Sequence, residues 1–84
     1  MKIVVMKFGG TSVADISRIK NVASIINDNY KKYKLVVVLS AMAGVTDDLQ
    51  KLIDEISNPC SQEIDLVITS GEQVSVGLLS MQLN

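Results

Sequence analysis

Two short apolar runs rich in β-branched residues, Ile3-Val4-Val5-Met6 and Leu35-Val36-Val37-Val38-Leu39, constrain this chain more than any other feature. Neither run alternates polar with apolar residues. Each therefore reads as a strand covered on both faces, the kind that belongs to parallel sheets. Between them Ile16, Ile19, Val22, Ala23, Ile26 and Tyr30 recur at helical spacing, which predicts an amphipathic helix of about four turns. Strand, helix, strand is a βαβ unit, expected to cross over right-handed and to place its two strands side by side and parallel. At 84 residues the chain holds one domain or less, and its class is α/β.

Local signals divide the remainder. Gly9-Gly10 breaks the first strand. Thr11 and Ser12 follow as N-cap candidates, and Ser12-x-x-Asp15 has the spacing of a capping box. The first helix is expected to end near the polar stretch 27–34. Ser40 ends the second strand, and a small-residue loop, Ala41-Met42-Ala43-Gly44-Val45, leads to Thr46-Asp47-Asp48. An acidic first turn suits the positive end of a helix dipole. That helix carries Leu49, Leu52, Ile53 and Ile56 on one face. Asn58-Pro59-Cys60-Ser61-Gln62 reads as a linker. Residues 63–69 are ambiguous, because Leu66-Val67-Ile68-Thr69 has strand composition in a run short enough to be helical. Ser70-x-x-Gln73 is a second capping-box pattern. After it come two stripes, Val74, Leu78, Met81 and Val76, Leu79, Leu83, which predict a helix buried nearly all round. Gly77 in such a helix costs about 1 kcal/mol relative to alanine and suggests close packing there.

Composition excludes several kinds of function. Hydrophobic residues make up 48% and charged residues 20%, the balance of a globular chain rather than a disordered one. Eight basic residues face nine acidic ones, so no basic field exists to hold a nucleic-acid backbone or an anionic membrane. The one cationic cluster, Lys31, Lys32 and Lys34, fits a solvated helix end. Histidine is absent, which removes histidine-based zinc sites, Ser-His-Asp and Cys-His catalysis, and histidine as general base. The single cysteine, Cys60, permits no internal disulfide. No apolar run approaches the length of a membrane span or a signal-peptide core, so the expected setting is soluble and cytoplasmic.

Three segments carry candidate chemistry. In Lys7-Phe8-Gly9-Gly10-Thr11-Ser12 the glycines let the backbone approach a ligand, the following helix offers N–H groups and a positive dipole, and Lys7 adds a mobile cation at the strand's carboxyl end. Together these suit a phosphate. The plainer explanation is a turn that needs glycine beside a solvated lysine. In the second segment, 39–47, the hydroxyls of Ser40 and Thr46 flank small residues that leave room for a ligand. Asp47 and Asp48 would repel a phosphate and favour a zwitterion or a hydroxyl-bonded substrate. The plainer explanation makes Thr46 an N-cap. In the third, Ser70-Gly71-Glu72-Gln73, Glu72 either receives an ammonium group or merely compensates a helix dipole.

Taken together, KFGGTSV, VLSAMAGVTD and SGEQVS, in that order along essentially the whole chain, resemble the aspartate kinases of the amino acid kinase family. The resemblance implies a three-layer αβα sandwich with a largely parallel sheet, of which residues 1–84 would be the N-terminal part of the catalytic domain, without a regulatory domain. It also implies that residues 63–69 are helical or a turn. By position, Lys7, Phe8, Gly9 and Gly10 match the ATP-phosphate segment, with Lys7 catalytic. Ser40 and Thr46 match substrate-side hydroxyls, and Glu72 matches the substrate-binding glutamate. The implied reaction transfers a phosphoryl group from ATP, accompanied by Mg2+, to the β-carboxylate of L-aspartate. It opens the route to lysine, threonine, methionine and diaminopimelate. The implied full-length form is a homo-oligomer that binds neither nucleic acid nor membrane. Two other readings stand beside it: a sister kinase of the same fold acting on glutamate, acetylglutamate, carbamate or a nucleotide, and a non-catalytic remnant that only associates with other chains.

Overall fold

The structure, a computed structural model, describes residues 1–56 and 60–84. Its elements run β1 (Ile3–Phe8), a 3-10 turn (Gly10–Val13), α1 (Ile16–Asn29), β2 (Lys34–Leu39), α2 (Val45–Asp54) and α3 (Ser61–Leu83). The strands pair parallel, with Ile3 opposite Lys34 and Phe8 opposite Leu39. This is the expected βαβ unit.

Register divides the strand residues between two faces. Val4, Met6 and Phe8 lie opposite Leu35, Val37 and Leu39, on the face that meets the core. That core gathers Val13, Ile19, Val22, Ala23 and Ile26 with Leu39 of β2 and Leu79 of α3, and Phe8, Leu35, Val37, Met42 and Leu78 pack against it. The other face carries Ile3, Val5 and Lys7 opposite Lys34, Val36 and Val38. There Ile3 is 62% exposed, Val5 64%, Val36 48% and Val38 44%. The expectation of strands covered on both faces thus fails within this chain, because α1 and α3 lie on the same side of the sheet. None of the described helices is long and apolar enough to cross a membrane.

The helix starts differ from those the sequence suggests. The chain after Gly9 first takes a 3-10 turn, closed by Ser12 N–H donating to Gly9 O at 3.0 Å. Ser12 is consumed in that turn, and Asp15 caps α1 instead, its carboxylate accepting from Arg18 N–H at 2.9 Å. At α2 the capping position falls to Gly44, which adopts the left-handed conformation at φ 78° that favours glycine. Thr46 already lies inside the helix.

Ser70-x-x-Gln73 starts nothing, because α3 runs unbroken through it. Ser70 Oγ donates back to Val67 O at 2.6 Å and Thr69 Oγ1 to Asp65 O at 2.8 Å. Such back-bonding lets serine and threonine sit inside a helix instead of capping one. Residues 63–69 are therefore helical, as the family resemblance implies and against their strand-like composition.

α3 is not buried all round. One stripe, Gly71, Ser75 and Leu79, is buried, while Val74, Val76 and Met81 are exposed. Ser75 Oγ has no hydrogen-bond partner among the described residues. In α2 only Ile53 is buried and Leu52 stands exposed; the helix ends at Asp54, so Ile56, also exposed, lies beyond it rather than on its face. Of the expected linker, residues 58 and 59 lie outside the described residues. Cys60 is exposed, and Ser61 and Gln62 already belong to α3.

Candidate functional site

The three motif segments converge where the two strands end. Ser40 N–H donates to Phe8 O at 3.1 Å, which extends the sheet by one bond past Leu39. Ala43 N–H donates to Ala14 O at 3.3 Å and ties the loop after β2 to the turn after β1. Ala41, buried between them, is the meeting point. A Cβ placed on Gly10 would lie 3.8 Å from Ala41 O, and one on Gly71 would lie 3.2 Å from Ala41 Cβ. The glycine loop, the small-residue loop and the middle of α3 thus share one small side chain.

Around this point the candidate residues take distinct places. Lys7 is exposed on the open face of the sheet, opposite Val38. Phe8 turns to the other face and packs against the core, so its side chain supports the loop from below. Gly9 and Gly10 are exposed, Ser40 is half-buried, and Thr46 is exposed in the first turn of α2. Glu72 lines a cleft of about 380 Å³ with Val37, Val38, Leu39, Thr69, Gln73 and Val76. Val38 therefore borders Lys7 on one side and the Glu72 cleft on the other. A larger cleft of about 500 Å³ follows Leu35, Val37 and Leu39 toward Tyr30, Tyr33 and Leu83. It holds none of the candidate groups.

The turn, cap and dipole explanations of Gly9, Gly10, Thr46 and Glu72 do not survive the geometry, whereas the exposure of Lys7 fits a solvated lysine equally well. Gly9 has φ −76° and ψ 179°, a conformation open to any residue, and Gly44 is the one described glycine with positive φ. A Cβ on Gly9 would meet nothing within 4 Å. Neither the turn nor the packing requires glycine at positions 9 and 10. Thr46 makes no cap, since the capping position belongs to Gly44, which has no side chain to bond the α2 start. Glu72 lies in the middle of α3, where a helix dipole offers nothing to compensate.

One functional expectation also needs correction. α1 does not present a free N-terminus to an anion beside the glycines, since it starts at Ile16 and Asp15 fills its cap. Any anion at this loop would rely on Lys7 and on the N–H groups at the start of the 3-10 turn. Among the described residues, no group of three or more His, Cys, Asp or Glu side chains comes together to hold a metal ion.

Sequence reasoning overlooked Ala41 and Gly71. The signal was available, since both are small residues placed beside polar candidates, Ser40 and Glu72. A glycine inside a presumed helix start, however, draws no attention as a packing residue.

Comparison with known proteins agrees with the order of the motifs. The family model described as the amino acid kinase family matches residues 2–84, and the chain belongs to that family. Its similarity extends to particular enzymes. The aspartokinase of Geobacillus stearothermophilus is 49% identical over 86 aligned residues, which cover 100% of this chain and 21% of that protein. The Thermus thermophilus aspartokinase is 51% identical over 85 residues, covering 99% of this chain and 21% of its own. Among solved structures, the aspartate kinase from Synechocystis superposes with a TM-score of 0.90 at 48% identity, covering 96% of this chain and 14% of that one. The chain spans about a fifth of the length of the curated relatives it matches. The superposition establishes the α/β fold as that of the amino acid kinases, and the parallel pair with three helices is its local form.

Proposed function

We propose that residues 1–84 are the opening segment of an amino acid kinase catalytic domain whose reaction is phosphorylation of the L-aspartate β-carboxylate by ATP. The product is 4-phospho-L-aspartate, the first step toward lysine, threonine, methionine and diaminopimelate. One observation carries this reading. Three segments distant in sequence meet at Ala41, and the turn, cap and dipole requirements that could explain Gly9, Gly10, Thr46 and Glu72 are absent. Residues that the fold does not demand are available for a ligand.

The chemistry follows from the side chains at hand. The attacking carboxylate is ionised at pH 7, so no general base is needed and a chain segment without histidine suffices. A bond forms between the carboxylate oxygen and the γ-phosphorus, the bond from that phosphorus to the bridging oxygen breaks, and ADP leaves. Two anions must be aligned and the charge on the transferring group offset. Lys7 brings a cation to the carboxyl end of β1, and Gly9 and Gly10 let phosphate oxygens approach backbone N–H groups unobstructed. Ser40, Thr46 and Glu72 form the substrate side, Glu72 receiving the aspartate ammonium group and the hydroxyls its carboxylates. The described residues form no metal cage, so Mg2+ would arrive on the nucleotide phosphates.

Hydroxamate trapping tests the reading in the full-length enzyme carrying this sequence. With ATP, hydroxylamine and L-aspartate an aspartyl hydroxamate is expected. Product from glutamate or acetylglutamate but not aspartate would assign a sister kinase. No hydroxamate from any of these acceptors would leave a carbamate or nucleotide kinase or a non-catalytic association module, two readings that ADP release with carbamate or nucleotide acceptors separates.

A further inference from the structure

We infer that Gly71 is a positioning residue for substrate recognition: by letting α3 close onto the start of α2, it sets the spacing of Glu72 from Ser40 and Thr46. The inference rests on the substrate role proposed for those three residues. A Cβ built on Gly71 would lie 2.8 Å from Val45 Cγ1, 3.2 Å from Ala41 Cβ and 3.3 Å from Leu49 Cδ1. Among the described residues no other glycine is confined in this way. Gly9, Gly44 and Gly77 would meet nothing within 4 Å, and Gly10 only a carbonyl oxygen at 3.8 Å.

Gly71 also lies within α3, where glycine is disfavoured relative to alanine, and its φ is not positive. Packing therefore accounts for this glycine, and the packing is specific. Each of the three substrate-side groups is the chain neighbour of a residue in the contact: Ser40 precedes Ala41, Thr46 follows Val45, and Glu72 follows Gly71. One contact fixes three groups drawn from a loop and two helices.

The contact is also stiff. Val45 is β-branched and occupies the first position of α2, so its χ1 is restricted and its methyl cannot swing aside freely. Ala41 is buried and tied into the loop after β2. A side chain at position 71 must therefore separate α3 from α2, and shifts of this size matter where a small zwitterion is held by several polar groups. A side chain at position 71 would strike hardest on Val45 of α2, at 2.8 Å, whereas on the nucleotide side Gly10 meets Ala41 only at ordinary contact distance, 3.8 Å, so the displacement should fall mainly on the substrate side.

The test compares Michaelis constants in the full-length enzyme. Gly71→Ala is expected to raise the aspartate constant about tenfold while the ATP constant stays within about twofold, a split that general destabilisation would not give. Adding Val45→Ala removes the methyl that position 71 would strike and should return the aspartate constant most of the way. Val45→Ile enlarges the same contact with Gly71 in place. It should give the same split more weakly, and it decides the matter if Gly71→Ala does not fold. Equal changes in both constants, or no change in either, overturn the proposal. Glu72→Ala separates this failure from failure of the underlying reading. An unchanged aspartate constant in Glu72→Ala removes the substrate role itself. A raised one beside unaffected Gly71→Ala and Val45→Ile enzymes removes only the positioning role.

Discussion

Both faces of the β1–β2 sheet are mainly apolar, the open one carrying Lys7 and Lys34 as well, but their surroundings are opposite. Val4, Met6, Phe8, Leu35, Val37 and Leu39 turn toward α1 and α3, while Ile3, Val5, Val36 and Val38 remain open. Apolar residues on the covered face are accounted for by the chain's own core. Those on the open face are not, and neither are Lys7 at its end nor the two glycines after it. The contrast separates residues kept for folding this segment from residues that answer to something outside its core.

The largest effect should come from asking the segment to work alone. Purified residues 1–84 are expected to show no measurable aspartate kinase activity. The open apolar face and unpaired strand edges favour self-association over a cooperative fold. On the proposed reading even a folded segment would meet only the phosphate end of ATP, and alignment supplies most of the catalysis in phosphoryl transfer. Size-exclusion chromatography, thermal melting and hydroxamate trapping check this. A sharp melt of a monomer with clear turnover would erase the distinction between the two faces.

Next in size is Lys7, the one charged residue of β1 and a member of the open face. In the full-length enzyme, Lys7→Ala should lower turnover by about 10²-fold or more, on the order of 3 kcal/mol of lost charge stabilisation. Its exposure means that the melting temperature should hardly move. Near-normal turnover would return Lys7 to the status of a solvated strand-end lysine. A smaller and more selective effect is expected at the rim of the site. Glu72→Ala and Thr46→Ala should raise the Michaelis constant for aspartate more than that for ATP. An equal or larger effect on ATP would move these side chains to the nucleotide side.

How much of this was legible beforehand depended on how local each determinant is. Both strands, α1 and the parallel pairing follow from the apolar runs and the helical spacing between them, because those patterns encode burial directly. Motif order pointed to the family. The helix starts were less legible, since capping patterns report a local possibility and tertiary geometry chooses among them. Ser12 lost its cap to a 3-10 turn, Thr46 lost its cap to the left-handed Gly44, and Ser70 was absorbed into a continuous α3. Exposure of one sheet face was hidden for another reason. Composition records what a strand is adapted to, whereas Val5 and Val36 show what the other elements of these 84 residues cover. The site was readable as segments but not as a place, because the contact of Ala41 with Gly71 joins residues thirty apart and depends on the absence of a side chain.

The smallest predicted effect concerns the other glycine of α3 and applies the same division within one helix. Gly71 and Gly77 are both helical, yet a Cβ at 71 would collide with α2 and one at 77 would meet open space. The sequence suggests close packing at 77, and the geometry places it at 71 instead. Gly77→Ala replaces a residue with high backbone freedom in the unfolded chain by the best helix former, without steric cost in this segment. It should therefore raise the stability of the full-length enzyme slightly, by about 0.5–1 kcal/mol, and leave both Michaelis constants unchanged. Differential scanning fluorimetry beside the parent enzyme gives the sign. A lower melting temperature would mean that position 77 faces a close neighbour outside residues 1–84. The exposed side of α3, with Val74 and Val76, would then belong with the open sheet face among the surfaces that the rest of the protein covers.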